Sequence, residues 1–481
     1  MKKITFLTLL ATLFLFISCD DSFLSPELKT GTSAANFYLN DEQLEAAIID
    51  IYDGIQGVNA SKFTSTNLNH AVQIEFYVTE MRSDNTRTKS QEGEAAQFES
   101  FSLEATNGIV DDYYRSFYNI IFRANIVLNN LDNASDENRS KFESEAKFCR
   151  AYAYFNLVRL FGDIPLIDKI VAPADTETVY TRVAASEIYN LIVSDLQTAQ
   201  EGLNNMYKSR ASKAAAQGLL AKVYLSQATP NYLEAQKLCE SIMNSGRFSL
   251  EGNFRDVFYT ELNNEIIFSI GYIPGDSNDS QNFSAEWLNA VGRTSGVNYV
   301  TDNAIAAFTA LDGGVRTTES FRTDLLQSTQ TQVTKYLPNG ELGGSDGKTF
   351  TSDAQSSGND WIVLRYADVV LMHTEAILAG ASNTTSTEAV ASYNLIRNRA
   401  GLADDADSNI TKQELLDERR MELAFENQRW FDLVRMGEAM NVLGAFATAN
   451  GYNFSTTDLL LPIPQREIGL SNGLLRQNPG Y

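Results

Sequence analysis

This 481-residue sequence predicts a mostly α fold: a tetratricopeptide-like scaffold of helical hairpins carrying a loop-rich, partly β insertion. Three observations support that expectation. Apolar residues recur at three- and four-residue spacing over long stretches from Asp41 onward, and small residues face large aromatics along them. Between about residues 251 and 360 this period gives way to Gly, Ser, Thr, Asn and Asp.

The chain opens with an address. Lys2 and Lys3 precede an apolar run over residues 4–17, then Ser18 and Cys19. The run is short for a membrane span. Phe16-Ile17-Ser18-Cys19 resembles a bacterial lipobox, so residues 1–18 read as a lipoprotein signal peptide and Cys19 as the acylated first residue of the mature chain. Each buried acyl methylene contributes ~0.8 kcal/mol, so a multiply acylated Cys19 holds the body at a membrane. Asp20, Asp21 and a Ser/Pro/Gly-rich stretch to Thr32 form a solvated tether.

Residues 19–481 read as one unit, with scaffold at about 37–250 and 361–445. Over residues 143–161, Ala146, Cys149, Ala153, Leu157 and Leu160 share a helix face, and Gly162-Asp163-Ile164-Pro165 ends the helix. Residues 211–227 and the run Tyr232, Ala235, Cys239, Ile242 make an antiparallel pair across Thr229-Pro230. Further helices are expected at 361–379, 386–398 and 412–437, which places Trp361 and Trp430 in helices. In the insertion, strands are expected at 265–272, alternating around Ile266, Phe268 and Ile270, and at 331–337. From Asn450, Pro462, Pro464 and Pro479 indicate an extended segment packed over the scaffold.

Composition excludes several function classes. With 61 acidic and 38 basic residues the net charge is −23, the wrong field for nucleic acid. His70 and His373 are the only histidines, too few for an imidazole-built metal site, and both read as hydrogen-bonded core residues. Cys149 and Cys239 fall on buried helix faces as small hydrophobes. No metal or cofactor is expected.

Enzymatic patterns are incomplete in this sequence. Glu418, Glu422 and Glu426 are stacked four apart on one predicted helix, and a glycosidase needs two carboxylates straddling its bond. The interleaved Arg419, Arg420 and Arg429 are expected to neutralise them. Gly343-Gly344-Ser345-Asp346-Gly347 matches an esterase elbow by letter but lacks the strand, helix and base histidine that the elbow requires. The same stretch is one residue short of a phosphate loop.

Aromatic and polar side chains without reactive partners suit non-covalent capture of a sugar, whose flat C–H face docks on a ring while its hydroxyls take hydrogen bonds. The candidates are Trp287, Tyr299, Arg293 and Asn298 in the insertion, and Tyr77, Arg82, Asp84 and Asn85 in an early loop.

Several segments together are similar to the SusD/RagB family of outer-membrane nutrient-binding lipoproteins. They are residues 145–152 continuing through Phe161-Gly162-Asp163-Ile164-Pro165-Leu166, then Leu364-Arg365-Tyr366-Ala367-Asp368 and Asn398-Arg399-Ala400-Gly401-Leu402. Residues 418–426, Arg429-Trp430-Phe431-Asp432-Leu433 and the ending Gln477-Asn478-Pro479-Gly480-Tyr481 complete the series. The resemblance implies a non-enzymatic lipoprotein at the outer membrane, facing the cell exterior. It further implies a SusC-like TonB-dependent transporter as partner and an oligosaccharide as ligand. Asp20 and Asp21 match the family's surface-export signal, and Met81-Arg82-Ser83-Asp84-Asn85 sits where a recurring loop motif contributes to the ligand face. Against this stand an all-α surface glycoside hydrolase, a peptide-binding member and a purely structural transporter subunit.

Overall fold

A computed structural model describes residues 37–65, 68–88, 93–172, 174–288, 298–324, 328–344 and 350–481. Cys19 with its leader, Arg293 and Ser345 lie outside them.

The scaffold begins with α1 (Asp41–Gln56), started by Asn40, whose side chain accepts from the Gln43 amide. Asn107 starts α2 (Gly108–Asn129) in the same way. Then follow α3 (Arg139–Phe161), stopped by Gly162, and α4 (Ala185–Gly202). Ser212 caps α5 (Lys213–Ser226), and Asn231 caps α6 (Tyr232–Met243). Each helix packs on the one before it, α1 on α2 through α5 on α6. Small residues permit these close approaches, since Ala214, Ala215, Ala216 and Ala221 of α5 are all buried.

The chain then leaves the stack for the insertion and returns beside the point it left. Among its elements are β1 (Thr86–Thr88), supplied by the early loop, and β2 (Ile266–Ile270), β3 (Asn298–Val300), α7 (Asp302–Ala310), β4 (Phe321–Thr323) and β5 (Thr331–Val333). The return runs through β6 (Trp361–Arg365) into α8 (Tyr366–Leu378), which packs on α6. Ser386 caps α9 (Thr387–Arg399), and a Thr411/Glu414 capping box starts α10 (Lys412–Glu422). The last long elements are α11 (Arg429–Arg435) and α12 (Ala439–Ala449).

The strands pair antiparallel in twos: β1 with β3 (Thr86 opposite Val300), β2 with β6 (Ile270 opposite Trp361), and β4 with β5. Pairing β1 with β3 ties the early loop to the insertion.

Four expectations need correction. Trp361 lies in β6, not in a helix, because the continuous run Trp361-Ile362-Val363-Leu364 completes a ladder with β2. The strand β2 does not alternate in exposure; all five residues are buried, covered on both faces. The helix expected over 412–437 stops at Glu422 and resumes at Arg429, across a turn in which Phe425 and Asn427 adopt φ of 67° and 59°. The C-terminal segment contains the short helix Gln465–Leu470, yet it does pack over the scaffold: Leu461 and Ile463 are buried, and Asn478 Nδ2 donates to the Phe161 carbonyl at 3.0 Å.

Gly57 ends α1 at φ 68°, ψ 160°, a region open almost only to glycine, and a Cβ there lands on the His70 carbonyl oxygen. Gly57→Ala is expected to lower unfolding free energy by roughly 2 kcal/mol or more. A urea midpoint equal to the parent's contradicts this.

Candidate functional site

A cleft of about 370 Å³ opens between the loop that follows α1, the start of α2 and the insertion. Its wall is stitched together by amides. Asn59 Nδ2 donates to Ser280 Oγ and to the Gln355 carbonyl, both at 2.8 Å. Gln73 Nε2 donates to the Ser280 carbonyl at 3.0 Å, while its Oε1 accepts from the Asn282 amide. These bonds satisfy buried backbone groups and fix the two sides of the cleft relative to each other.

His70 closes the base. Its Nδ1 lies 2.5 Å from Asp112 Oδ2 and its Nε2 lies 2.7 Å from the Phe63 carbonyl, so both ring nitrogens face acceptors and the imidazolium form satisfies both. Burial by itself lowers the His70 pKa, but the hydrogen bond and charge of Asp112 outweigh it and hold the ring above its ordinary value. Ser116 completes the arrangement, donating to Asp112 and accepting from the His70 amide. With both nitrogens bound inside the protein, His70 fastens the loop to α2 and has no site left for a ligand.

The groups lining the cleft include Tyr77, Asn282, Glu286 and Gln355, with Ser61, Thr64 and Glu94 beside them. Tyr77 is half-buried and stacked on Phe76, ring centroids 4.2 Å apart. Asn282 Oδ1 is buried without a hydrogen-bond partner. A ring beside amides, the Ser61 and Thr64 hydroxyls and the carboxylates of Glu94, Asp112 and Glu286 supplies hydrogen bonds and an apolar face.

Of the ligand-binding candidates named from the sequence, Tyr77 alone among those described lines this cleft. Trp287 is 0% exposed, its ring packed against Phe76, Tyr336 and Phe425 at 5.6, 5.8 and 6.0 Å, so it backs the Phe76–Tyr77 wall from inside the core. Arg82 is 1% exposed, lies 3.8 Å over the Trp430 ring and donates to the Asp458 carbonyl, pinning the C-terminal segment. Asp84 is buried between Arg420 and Arg429. Burial alone raises its pKa, and the two guanidinium groups outweigh that and hold it well below the usual carboxylate range. Asn85 bridges Glu80 and Arg420. Asn298 is fully buried in β3, and Tyr299 is half-buried beside Arg87.

The carboxylate ladder is buried and neutralised, but not by its interleaved arginines. Glu418 takes Arg316, Glu422 takes Arg365 and Arg399, and Glu426 takes Arg365 and Lys335. Arg419 instead pairs with Asp368 and Asp432, and Arg420 and Arg429 with Asp84. Burial raises the Glu422 pKa, and Arg399, Arg365 and Arg316 outweigh it and hold it far below the ordinary range. Burial pushes Lys335 down to about 8 despite Glu426. A glycosidic bond has no access to these groups.

Residues 322–481 match a family model described as the SusD family, and residues 39–225 match one described as starch-binding, associating with outer membrane. Over these two segments the chain is similar to the SusD family. A SusD-like protein, P2, of Formosa agariphila is 29% identical over 100% of this chain and 99% of its own length. The fold aligns with a laminarin-binding SusD-like protein at TM-score 0.75 and 23% identity, covering 92% of this chain and 100% of that one. It aligns equally, at TM-score 0.75 and 22% identity, with surface glycan-binding protein A from Bacteroides thetaiotaomicron in complex with laminarihexaose, covering 91% and 99%. In this SusD-like body the ladder of carboxylates is sealed in the core.

Because His70 has a raised pKa in the folded state, its contribution to stability is complete below the ordinary histidine value of 6.5 and is lost as pH rises through the raised value. The stability gap between wild type and His70→Gln is therefore expected to shrink as pH rises from about 6 to about 9. A gap that widens over this range refutes the imidazolium assignment.

Proposed function

We propose that this SusD-like protein captures an oligosaccharide at the cleft beside Tyr77 and passes it to a SusC-like TonB-dependent transporter. Acylation of Cys19 tethers it to the outer membrane, facing the cell exterior. The observation that carries the ligand reading is the make-up of the cleft: a ring edge, the unpartnered Asn282 Oδ1 and neighbouring amides, held rigid by bonds across its two sides. Hydrogen-bonding groups around an aromatic suit hydroxyl-rich ligands, and the carboxylates Glu94 and Glu286 add acceptors for sugar hydroxyls. Relatives described as starch-binding or laminarin-binding support the same class.

The hand-over needs a ligand that can leave. Capture by a ring face and hydrogen bonds is reversible, and a ligand that must leave again is held with modest affinity. The tethered body then acts as a receptor beside the pore rather than as a processing enzyme.

Calorimetry with a panel of neutral glycans tests the ligand reading. Tyr77→Ala is expected to weaken the best ligand by about tenfold, the loss of one stacked ring in a small site. No new reducing ends are expected on prolonged incubation; their steady appearance defeats the proposal. Fractionation tests the tether: Cys19→Ala moves the protein out of the membrane pellet, and an unchanged distribution defeats that part.

A further inference from the structure

A second cleft, of about 660 Å³, shares no lining residue with the first. Its floor is the buried Asp84, held by Arg429 Nε at 2.9 Å and by Arg420 Nη2 at 3.0 Å. One rim is the start of α7, where Asp302 and Asn303 are exposed; a second is the exposed Gln413 on α10. The third wall is α12, which turns Val442, Ala445, Phe446 and Ala449 toward the space on one helical face, with the exposed amide of Asn441 beside them.

Two features distinguish it from an incidental groove. Arg429 is 4% exposed, and while two of its nitrogens hold Asp84, its Nη1 is buried without a hydrogen-bond partner. A buried guanidinium N–H left unpaired is costly unless something in the cleft accepts it. The charges lining the space also offset one another. Asp84, Asp302, Asp417 and Glu438 line the space with Arg87, Arg420 and Arg429, and Lys412 binds Glu438, so acids and bases there are equal in number. A neutral ligand with many acceptors fits that balance, and a chain of net charge −23 disfavours an anionic one.

We infer that this cleft is a second saccharide site, in which a sugar lays its C–H face on the apolar stripe of α12 and hydrogen-bonds to Asn303, Gln413, Asn441 and Arg429 Nη1. The inference rests on the oligosaccharide reading of the first cleft for its ligand class. It also gives the polar loop at residues 81–85 a place: Asp84 orients Arg429 from beneath and does not touch the sugar.

Calorimetry with laminarihexaose, maltohexaose and a xyloglucan oligosaccharide on the full chain, on Ala445→Trp and on Tyr77→Ala tests it. Ala445 is exposed, so an indole there fills the cleft without entering the core. Two binding events are expected in the wild type, one lost in Ala445→Trp and the other in Tyr77→Ala, each loss being at least about tenfold in affinity. A single event lost only in Tyr77→Ala overturns the second site and keeps the first. A single event lost only in Ala445→Trp does the reverse, and no event with any of these sugars overturns both. Should Ala445→Trp fail to fold, amide hydrogen exchange on Tyr77→Ala decides the second site: sugar-dependent protection over residues 439–450 supports it, and no protection at saturating sugar overturns it.

Discussion

The structure depends on one buried guanidinium. Arg365, at the end of β6, reaches Glu265 and Glu422 at 2.6 Å and Glu426 at 2.7 Å, and so joins the edge of the insertion, α10 and the turn beyond it. Around it, Arg316, Lys335 and Arg399 bring the buried charges to four cations against the four carboxylates Glu265, Glu418, Glu422 and Glu426. Taking such ions out of water costs several kcal/mol each, a cost recovered only when every partner is in place. Two of the cations, Arg316 and Lys335, come from the insertion and two of the carboxylates from α10. The insertion therefore docks completely or leaves uncompensated charge in the core, and this requirement makes one cooperative body of segments far apart in sequence.

How much of this the sequence discloses follows from the range over which each signal acts. The starts of α5, α6 and α9 were legible because Ser212, Asn231 and Ser386 cap within three residues of their own position. Trp361 was misplaced because a short apolar run satisfies helix and strand alike, and only the arrival of β2 decides between them. The break after Glu422 was invisible for a related reason: Phe425 holds a left-handed conformation without being glycine. Its amide donates to Glu80 Oε1 and its carbonyl accepts from Tyr336, residues far away in sequence. The ladder of glutamates read correctly as an ion-pair network, while its partners did not, since helical spacing names neighbours on one helix and these carboxylates look outward to other elements.

The site is less legible in the sequence than the fold because an aromatic side chain serves a core as well as a ligand. Trp287 was attractive as one of three tryptophans, yet a large apolar ring is as valuable to a core as to a sugar, and here the core has it. The groups that shape the cleft are Asn59, Gln73 and Asn282, amides common in any loop, whose significance lies in cross-loop bonds more than 200 residues apart in sequence. Arg82, Asp84 and Asn85 read from the sequence as polar partners for a ligand, but a polar cluster in a loop reads the same whether it faces solvent or holds two segments together.

The cleft and the ionic hub are parts of one packed unit. Trp287 touches Phe76 beneath the Tyr77 wall on one side and Phe425 in the turn after α10 on the other, while Lys335 and Tyr336 reach that same turn from the insertion. A wall so supported is set before a ligand arrives, so little conformational entropy is spent on ordering it. The same stitching consumes most of the cleft's hydrogen-bonding capacity internally. Rigidity thus lowers the cost of binding while scarcity of free donors and acceptors limits its gain, and the two together favour a receptor that holds its ligand briefly and lets it go.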